Sequence, residues 1–270
     1  MNDFLPGRSD FLAKPVILAI GGLDPTGGAG VVRDFLTARS LGANARLIPA
    51  AWTEQSPAGV VSIEPRDHRA LTAAIRWAWQ DAAGGQGEPV VIKIGMVPDG
   101  PAAAAIVEGL DGFAGAVVLD PVLRASSGGA LYTGDVAALI ELGRRATLVT
   151  PNASEAEILS GMPVRDAQDA AAAGAVLGSR GWGAVLVKGG HLEGLDVVDV
   201  LVRGGEARRF QARRVPGPSV RGTGCALATA IAVGLGRGLA LEIAVSDAKR
   251  WLTSTLEHPV SVRGEWHLPG

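Results

Sequence analysis

The residues best suited to chemistry lie close together, at residues 221–227. This segment reads Arg-Gly-Thr-Gly-Cys-Ala-Leu and contains the only cysteine of the 270-residue chain, Cys225. A glycine-rich turn that feeds an apolar helix presents free backbone N–H groups at the positive end of the helix dipole, so Gly222, Thr223 and Gly224 are expected to bind phosphate. A thiol in the first helical turn is expected to have a lowered pKa and to accept a proton. Alternatively, the turn only starts a helix and Cys225 packs as a small apolar residue.

Other polar side chains stand directly after predicted strands. Asp120 ends one buried strand, where a carboxylate is costly unless it binds something. Lys188 ends another and is followed by two glycines, so it can meet phosphate. Asn152 and Glu155 follow a third strand, three residues apart, and such oxygen ligands suit Mg²⁺ held largely through water and phosphate. The alternative for this pair is a helix cap with an acid in the first turn.

A second group of residues is suited to holding an organic substrate. Residues 21–30 are rich in glycine, but they match neither a P-loop nor a dinucleotide fingerprint. We expect Gly22 and Asp24 to bind a substrate hydroxyl or amine; otherwise Asp24 caps the local turn. Gln55 offers a donor and an acceptor that match the edge of a heteroaromatic ring, unless it is simply solvated. Met96 offers a soft apolar surface to a flat ring, or belongs to the core.

Composition excludes several classes of partner. The formal net charge is −2 and the isoelectric point is about 6.1, which gives no electrostatic case for nucleic acid or an anionic membrane. A single cysteine excludes an internal disulfide and fits a reducing compartment. No apolar run reaches transmembrane length. We therefore expect a cytoplasmic protein with a small-molecule substrate, without nucleic acid or membrane partners.

The pattern of apolar residues predicts strands that alternate with helices. Strands are predicted at residues 16–22, 45–51, 61–63, 90–95, 116–120, 147–150 and 184–188, with a hairpin at 197–202 and 207–212. Helices are predicted at residues 28–41, 67–81, 101–110, 133–144, 154–160, 166–179, 223–236 and 240–256. Residues 52–60 are predicted to form a flap or extended loop. We expect a flexible leader at 1–14 and one domain at 15–270, with a largely parallel sheet covered on both faces and ligands beyond the carboxyl ends of the strands.

The combination of these residues is more informative than any one of them. Phosphoryl transfer needs positioning, neutralisation of charge and one proton acceptor. Four candidate groups all follow strands of one predicted sheet: the glycine-rich loop with Asp24, the Asn152–Glu155 pair, Lys188 and the turn before Cys225. Together they predict an enzyme that catalyses phosphoryl transfer.

At residues 16–256 the chain resembles the hydroxymethylpyrimidine/phosphomethylpyrimidine kinases of thiamine biosynthesis, within the ribokinase-like superfamily. The resemblance rests on motifs at residues 22–30 with Asp34, 93–96, 119–122, 150–157, 187–194 and 222–225. It implies a ribokinase-like α/β/α sandwich with a small flap, ATP and Mg²⁺ as cofactors, and commonly a homodimer.

The resemblance also implies a role for each site residue. Gln55 would bond the aminopyrimidine and Met96 would line the ring pocket. Asn152 and Glu155 would organise Mg²⁺ and the ATP phosphates. Residues 222–225 would form the anion hole, in which Cys225 takes the proton of the attacking hydroxyl.

The chain departs from the family pattern around the substrate and phosphate pocket. Val32 and Leu36 replace a glutamine and a lysine, Arg221 replaces a histidine, Ala226 replaces a threonine, and Leu23 replaces a serine. We expect the guanidinium of Arg221 to contact the phosphate already carried by a monophosphate substrate. The main reading is a kinase of 4-amino-5-hydroxymethyl-2-methylpyrimidine and its monophosphate. The alternatives are a pyridoxal or pyridoxine kinase and a catalytically silent pyrimidine-phosphate sensor.

Overall fold

The computed structural model describes residues 14–56, 59–85, 87–125, 129–190, 194–262 and 264–269, with the backbone alone at 55 and 56. Apart from Lys14, the predicted leader at 1–14 lies outside the described residues, as does part of the motif at 187–194. Within the described ranges, no helix combines the length and the apolarity needed to cross a membrane.

A nine-stranded sheet forms the centre of the fold. Its strands are β1 (Val16–Leu23), β2 (Asn44–Ser56), β3 (Gly59–Pro65), β4 (Val90–Ile94), β5 (Val117–Leu119), β6 (Leu148–Val149), β7 (Ala184–Val187), β8 (Asp196–Arg203) and β9 (Glu206–Arg213). They lie in the order β3-β2-β1-β4-β5-β6-β7-β8-β9. The run from β2 to β7 is parallel, and β3, β8 and β9 pair antiparallel with their neighbours. The predicted hairpin of β8 and β9 is confirmed.

Helices cover both faces of this sheet. They are α1 (Gly30–Ser40), α2 (His68–Ala83), α3 (Gly100–Gly109), α4 (Val136–Gly143), α5 (Ala153–Ser160), α6 (Ala167–Ser179), α7 (Thr223–Gly236) and α8 (Leu241–Leu256). Because successive side chains of a strand point to opposite faces, Leu18 and Ile20 belong to the core layer that contains α2 to α6, whereas Ile17 belongs to the layer that contains α1, α7 and α8. Both faces of β1 are buried, as expected for a central parallel strand.

The predicted loop at residues 52–60 is wrong in its secondary structure. Strand β2 continues to Ser56 and pairs antiparallel with β3, so the flap is a β-hairpin. Buried Ala51 and Thr53 alternate with exposed Trp52 and Glu54, which is the two-residue period of a strand with one covered face. Glu54 therefore lies on the open face of a strand rather than in a loop.

The chain also does not close with its last two helices, as the sequence pattern predicted. A three-stranded sheet in the order β10-β12-β11 follows, built from β10 (Val220–Arg221), β11 (Val260–Val262) and β12 (Glu265–His267). Strands of two or three residues are too short to show a period, and β10 pairs with a strand more than 40 residues away along the chain. Only the tertiary structure brings them together.

The sheet has a topological switch point between β1 and β4. The connection from β1 runs through α1 to β2, and β4 continues through α3 to β5 on the opposite face. The carboxyl ends of β1 and β4 therefore open a crevice, where ligands bind in sheets of this kind. The glycine-rich loop at residues 21–30 and Met96 both lie at this edge.

Candidate active site

The predicted anion-binding turn lies at the start of α7. Helix α7 begins at Thr223, and Gly222 before it has φ +75°, in the left-handed region that favours glycine. A Cβ atom added to Gly222 would lie 2.2 Å from the carbonyl oxygen of Gly28, so only glycine fits. The first backbone N–H groups of α7, from Thr223 to Cys225, have no partner within their own helix. The sequence prediction of a turn that feeds an apolar helix is confirmed.

The expected lowering of the Cys225 pKa is wrong. Burial raises the pKa of this half-buried thiol to about 11, and the nearby carboxylates of Asp34 and Asp120 act in the same direction. The charge of Lys93 and a backbone hydrogen bond from Gly30 act in the opposite direction. Desolvation of the thiolate therefore outweighs the helix terminus, and the ligand-free chain carries a thiol at neutral pH.

A buried ion pair lies close to Cys225, and the sequence analysis assigned it no role. Lys93 on β4 donates to Asp34 on α1 over 2.8 Å, and neither side chain reaches solvent. Thr229, four residues after Cys225 on α7, donates to the other oxygen of Asp34 over 2.9 Å. The charge of Asp34 raises the pKa of Lys93, although burial alone would lower it, so Lys93 stays protonated. The available signal was a lysine inside the otherwise apolar strand Val-Val-Ile-Lys-Ile.

Asp120 and Lys188, predicted after different strands, form an ion pair. The Lys188 Nζ donates to Asp120 Oδ1 over 2.6 Å, and the Thr150 hydroxyl donates to the same oxygen over 3.2 Å. Burial would lower the pKa of Lys188, but Asp120 and Glu155 raise it above its ordinary value. A Cβ atom added to Gly224 would lie 3.1 Å from Lys188 Nζ and 3.4 Å from Asp120 Oδ2. The pair thus directly faces the turn that is predicted to bind an anion.

Asn152 and Glu155 form the helix cap that was the alternative to a metal site. Asn152 Oδ1 accepts from the Glu155 backbone N–H over 2.9 Å, and Glu155 Oε2 accepts from the Asn152 N–H over 2.8 Å. The Ser154 hydroxyl donates to the same Asn152 oxygen over 2.8 Å. Burial raises the pKa of Glu155 to about 7 against the opposing charge of Lys188.

The donor set near this cap fits an ion bound mainly through water and phosphate. In the described ranges no group of three or more His, Cys, Asp and Glu side chains could hold a metal. Glu155 and Asp120 are close enough for each charge to matter to the other, and Asp120 Oδ1 is already engaged by Lys188. Mg²⁺ characteristically takes one or two carboxylates and keeps several waters or phosphate oxygens. Glu155 and Asp120 could supply these one or two carboxylates, and the remaining ligands would be water or phosphate oxygens.

Asp24 is buried within its own loop. One carboxylate oxygen accepts from the backbone N–H of Thr26 over 2.9 Å and from its hydroxyl over 2.8 Å. The other oxygen lies 3.3 Å from Arg221 Nη2. The capping role, which was the alternative to substrate binding, is thus present in the structure.

Gly22 and Met96 lie together at the switch point. Met96 is 5% exposed and packs with Ala51 and Leu131. A Cβ atom added to Gly22 would lie 3.0 Å from Met96 Sδ, so the glycine leaves room for the thioether. The backbone of Gln55 pairs with Val60 across the flap hairpin, but the Gln55 side chain lies outside the described part of the chain.

Arg221 lies between two carboxylates. Its Nη1 donates to Glu265 over 2.8 Å, and its Nη2 donates to Asp24 over 3.3 Å. A substrate phosphate would have to compete with these carboxylates, so phosphate contact by Arg221 stays a prediction. The sequence analysis did not anticipate Glu265 or His267, because the strand that carries them was not predicted.

A separate cavity of about 500 Å³ lies between β9 and α8. Its walls include Arg208, Phe210, Lys249 and Thr253, and its described lining contains none of the predicted site residues. Lys249 is held by Asp199 on β8 over 2.6 Å, and the same Asp199 accepts from the Gly189 N–H over 2.8 Å. This cavity is therefore distinct from the site at the carboxyl edge of the sheet.

Comparison with known proteins identifies the family. The chain matches the sequence profile of the phosphomethylpyrimidine kinase family over residues 24–269. A hydroxymethylpyrimidine/phosphomethylpyrimidine kinase of Rhizobium meliloti (strain 1021) is 40% identical over 245 residues, which cover 89% of this chain and 90% of that protein. The kinase of the same description from Escherichia coli (strain K12) is 34% identical over 243 residues, covering 88% and 90%.

Solved structures agree with this assignment. A phosphomethylpyrimidine kinase from Clostridium difficile 630 has a TM-score of 0.76 at 30% identity and covers 90% of this chain and 100% of its own. The pyridoxal kinase of Staphylococcus aureus in complex with AMP-PCP and pyridoxal has a TM-score of 0.82, covering 95% and 93%, but its 23% identity shows the fold alone. The predicted ribokinase-like α/β/α sandwich is confirmed. This chain belongs to the phosphomethylpyrimidine kinase family.

Proposed function

We propose that the chain transfers a phosphoryl group from ATP to the 5-hydroxymethyl group of 4-amino-5-hydroxymethyl-2-methylpyrimidine, and then to the resulting monophosphate. The observation that carries the proposal is the meeting of the α7 turn with the Lys188–Asp120 pair, since a Cβ on Gly224 would touch both side chains. Backbone N–H groups at a helix start, together with a lysine that faces them, can bind a phosphoryl group while it is transferred. The choice of an aminopyrimidine as the substrate ring follows from membership of the family.

The protein's part in the reaction is positioning, charge neutralisation and one proton transfer. The backbone N–H groups of Thr223, Gly224 and Cys225 hold the transferring phosphoryl group, and Lys188 neutralises its charge. Cys225 Sγ, in its thiolate form, accepts the proton of the attacking hydroxyl as the new O–P bond forms and the bond between the phosphoryl group and ADP breaks. Burial raises the pKa of the ligand-free thiol to about 11 even though Lys93 and the Gly30 N–H favour the thiolate, so only a small fraction of the ligand-free chain carries this base at neutral pH.

Mg²⁺, when bound, would neutralise charge on the ATP phosphates. Glu155 and Asp120 would hold it largely through water, with Asn152 fixing Glu155 through the helix cap. Lys188 keeps the two carboxylates compensated when no ligand is bound.

The pyrimidine is proposed to enter the crevice between β1 and β4. Met96 would contact the ring face, and Gln55 would bond the aminopyrimidine edge from the flap. Gly22 leaves space beside Met96, and Asp24 fixes the loop that closes this side. For the monophosphate, Arg221 would meet the phosphate by exchanging one carboxylate partner.

One assay decides between this function and its rivals. ADP release is followed with purified chain, MgATP and either the aminopyrimidine alcohol or pyridoxal, and the products are identified by mass spectrometry. The proposal expects mono- and then diphosphate of the pyrimidine, and loss of both in Cys225→Ala. Faster turnover of pyridoxal would make the chain a pyridoxal kinase. Pyrimidine-phosphate binding without turnover of either ring would make it a sensor.

A cytoplasmic homodimer is proposed for the assembly. Strands β2 and β3 expose Leu47, Trp52 and Val61, and β3 forms an edge of the sheet. Exposed apolar side chains beside an open edge favour association with another copy. Light scattering after gel filtration would show a dimer that Trp52→Glu converts to a monomer; a monomeric wild-type chain would contradict this.

A further inference from the structure

The segment at residues 264–269, here called the C-terminal brace, contacts the glycine-rich loop at residues 21–30, here called the substrate loop. The brace contains β12, which is parallel to β10 and antiparallel to β11. Strand β10 leads directly into the anion-binding turn at Gly222. The brace thus touches both sides of the candidate site from outside the main sheet.

An ion-pair chain forms the first link. Glu265 on the brace accepts from Arg221 over 2.8 Å, and Arg221 donates to Asp24 on the substrate loop over 3.3 Å. Asp24 in turn accepts twice from Thr26. The carboxylate that shapes the loop is 1% exposed, so its charge requires a compensating partner. Glu265 holds that partner in place.

A second arginine forms another link. Arg33 on α1 is 4% exposed and donates through Nη1 to the Pro269 carbonyl of the brace over 3.0 Å. Its Nη2 donates to the Gly27 carbonyl of the substrate loop over 3.3 Å. One guanidinium therefore ties the two segments together. Hydrogen bonds from a charged donor are among the stronger ones in proteins.

Direct packing forms a third link. His267 is 4% exposed, and a Cβ added to Gly28 would lie 2.5 Å from its Cε1 and 2.7 Å from its Nδ1. The imidazole thus packs directly against the backbone of the loop at Gly28, where any larger residue would collide with it. Gly28 also lies close to Gly222, because a Cβ atom added to Gly222 would lie 2.2 Å from the Gly28 carbonyl oxygen.

We propose that the brace is part of the substrate site, and that Glu265 and His267 are positioning residues that hold the substrate loop in its binding-competent shape. Neither residue acts on the reacting atoms. They act through Arg221, Asp24 and Gly28, on the pyrimidine side of the site rather than at Lys188 and Asp120. The inference rests on the proposed function for its kinetic readout alone.

The test compares wild-type chain with Glu265→Gln and His267→Ala by hydrogen–deuterium exchange without ligands and by steady-state kinetics. Amides of the substrate loop, such as those of Thr26 and Gly27, are expected to exchange faster in both variants, while the amides of α3 are unchanged. If a variant keeps the substrate loop in its binding-competent shape for only about a tenth of the time, its KM for the pyrimidine rises about tenfold. The KM for ATP stays the same.

Glu257→Gln, which removes one negative charge from an exposed position at the end of α8, is the matched control and should behave like wild type. Unchanged loop exchange in both folded variants would overturn the proposal. An equal rise in both KM values with a lowered melting temperature would also overturn it, because the brace would then serve general stability. A wild-type chain inactive on pyrimidines would refute the proposed function, and the exchange data would still decide on the brace.

Discussion

The Lys93 Nζ lies 2.8 Å from the Asp34 carboxylate, and neither side chain is accessible to solvent. The pair joins β4 to α1 beneath the thiol of Cys225, and Thr229 of α7 completes it with a hydrogen bond. Three elements that carry the site are thus held by one charge pair. Breaking such a pair leaves a buried charge without a partner, which is more damaging than removing both members.

Lys93→Met is expected to lower the free energy of unfolding by about 3–5 kcal/mol, because Asp34 is left buried and unpaired. The double variant Lys93→Met/Asp34→Leu should recover much of this loss. Urea denaturation of the two single variants and the double variant forms the cycle. Additive losses would show that the two residues do not depend on each other.

Alkylation of Cys225 is expected to report a raised pKa. The thiolate is the reactive form, and burial raises the pKa from 9.0 to about 11, so the reactive fraction stays small at neutral pH. The rate should rise about tenfold for each pH unit and level off only near pH 11. Iodoacetamide labelling is specific because the chain has one cysteine, and Cys225→Ser is the control. A plateau below pH 8 would contradict the pKa derived from the structure.

Cys225→Ala is expected to lower kcat by about 10²- to 10⁴-fold, the usual contribution of a positioned proton acceptor. Binding of ATP should persist, because the backbone N–H groups of the turn remain. Turnover and nucleotide titration on the same preparation separate the two effects. Full activity of the variant would remove Cys225 from the mechanism.

Gly222→Ala is expected to impair the anion-binding turn. The added methyl group would meet the Gly28 carbonyl at 2.2 Å, and the residue must keep φ +75°. The backbone conformation alone costs about 1–2 kcal/mol. A fall in kcat larger than the fall in stability is expected by kinetics and thermal unfolding. Gly178→Ala, which adds a methyl group in open space on α6, is the control.

Gln55→Ala is expected to weaken binding of the pyrimidine by about 1–3 kcal/mol, because a ring edge would lose its hydrogen-bond partner. This appears as a higher KM for the pyrimidine, with the KM for ATP nearly unchanged. Equal weakening of both substrates would show that Gln55 does not face the ring. Glu54→Ala, on the exposed face of the same strand, is a neighbouring control.

The layered fold and the sheet edge that carries the candidate site could be predicted from the amino-acid pattern alone. Apolar runs that alternate with helical spacing predicted the buried strands of the main sheet and the helices that cover it, because burial on two faces leaves a strong local pattern, whereas the extension of β2 through residues 52–56 was missed. The turn before Cys225 and the polar ends of β5 and β7 were visible for the same reason.

The pairing and the charge state of these residues could not be predicted from local sequence, because they depend on contacts between distant segments. The pKa of Cys225 depends on how deeply α7 is buried against Lys93 and Asp34, and no local pattern encodes this depth. The partners of Arg221 come from Asp24, almost 200 residues earlier, and from Glu265 on a three-residue strand. Contacts between distant segments arise from packing, and packing is a property of the whole chain rather than of its local sequence.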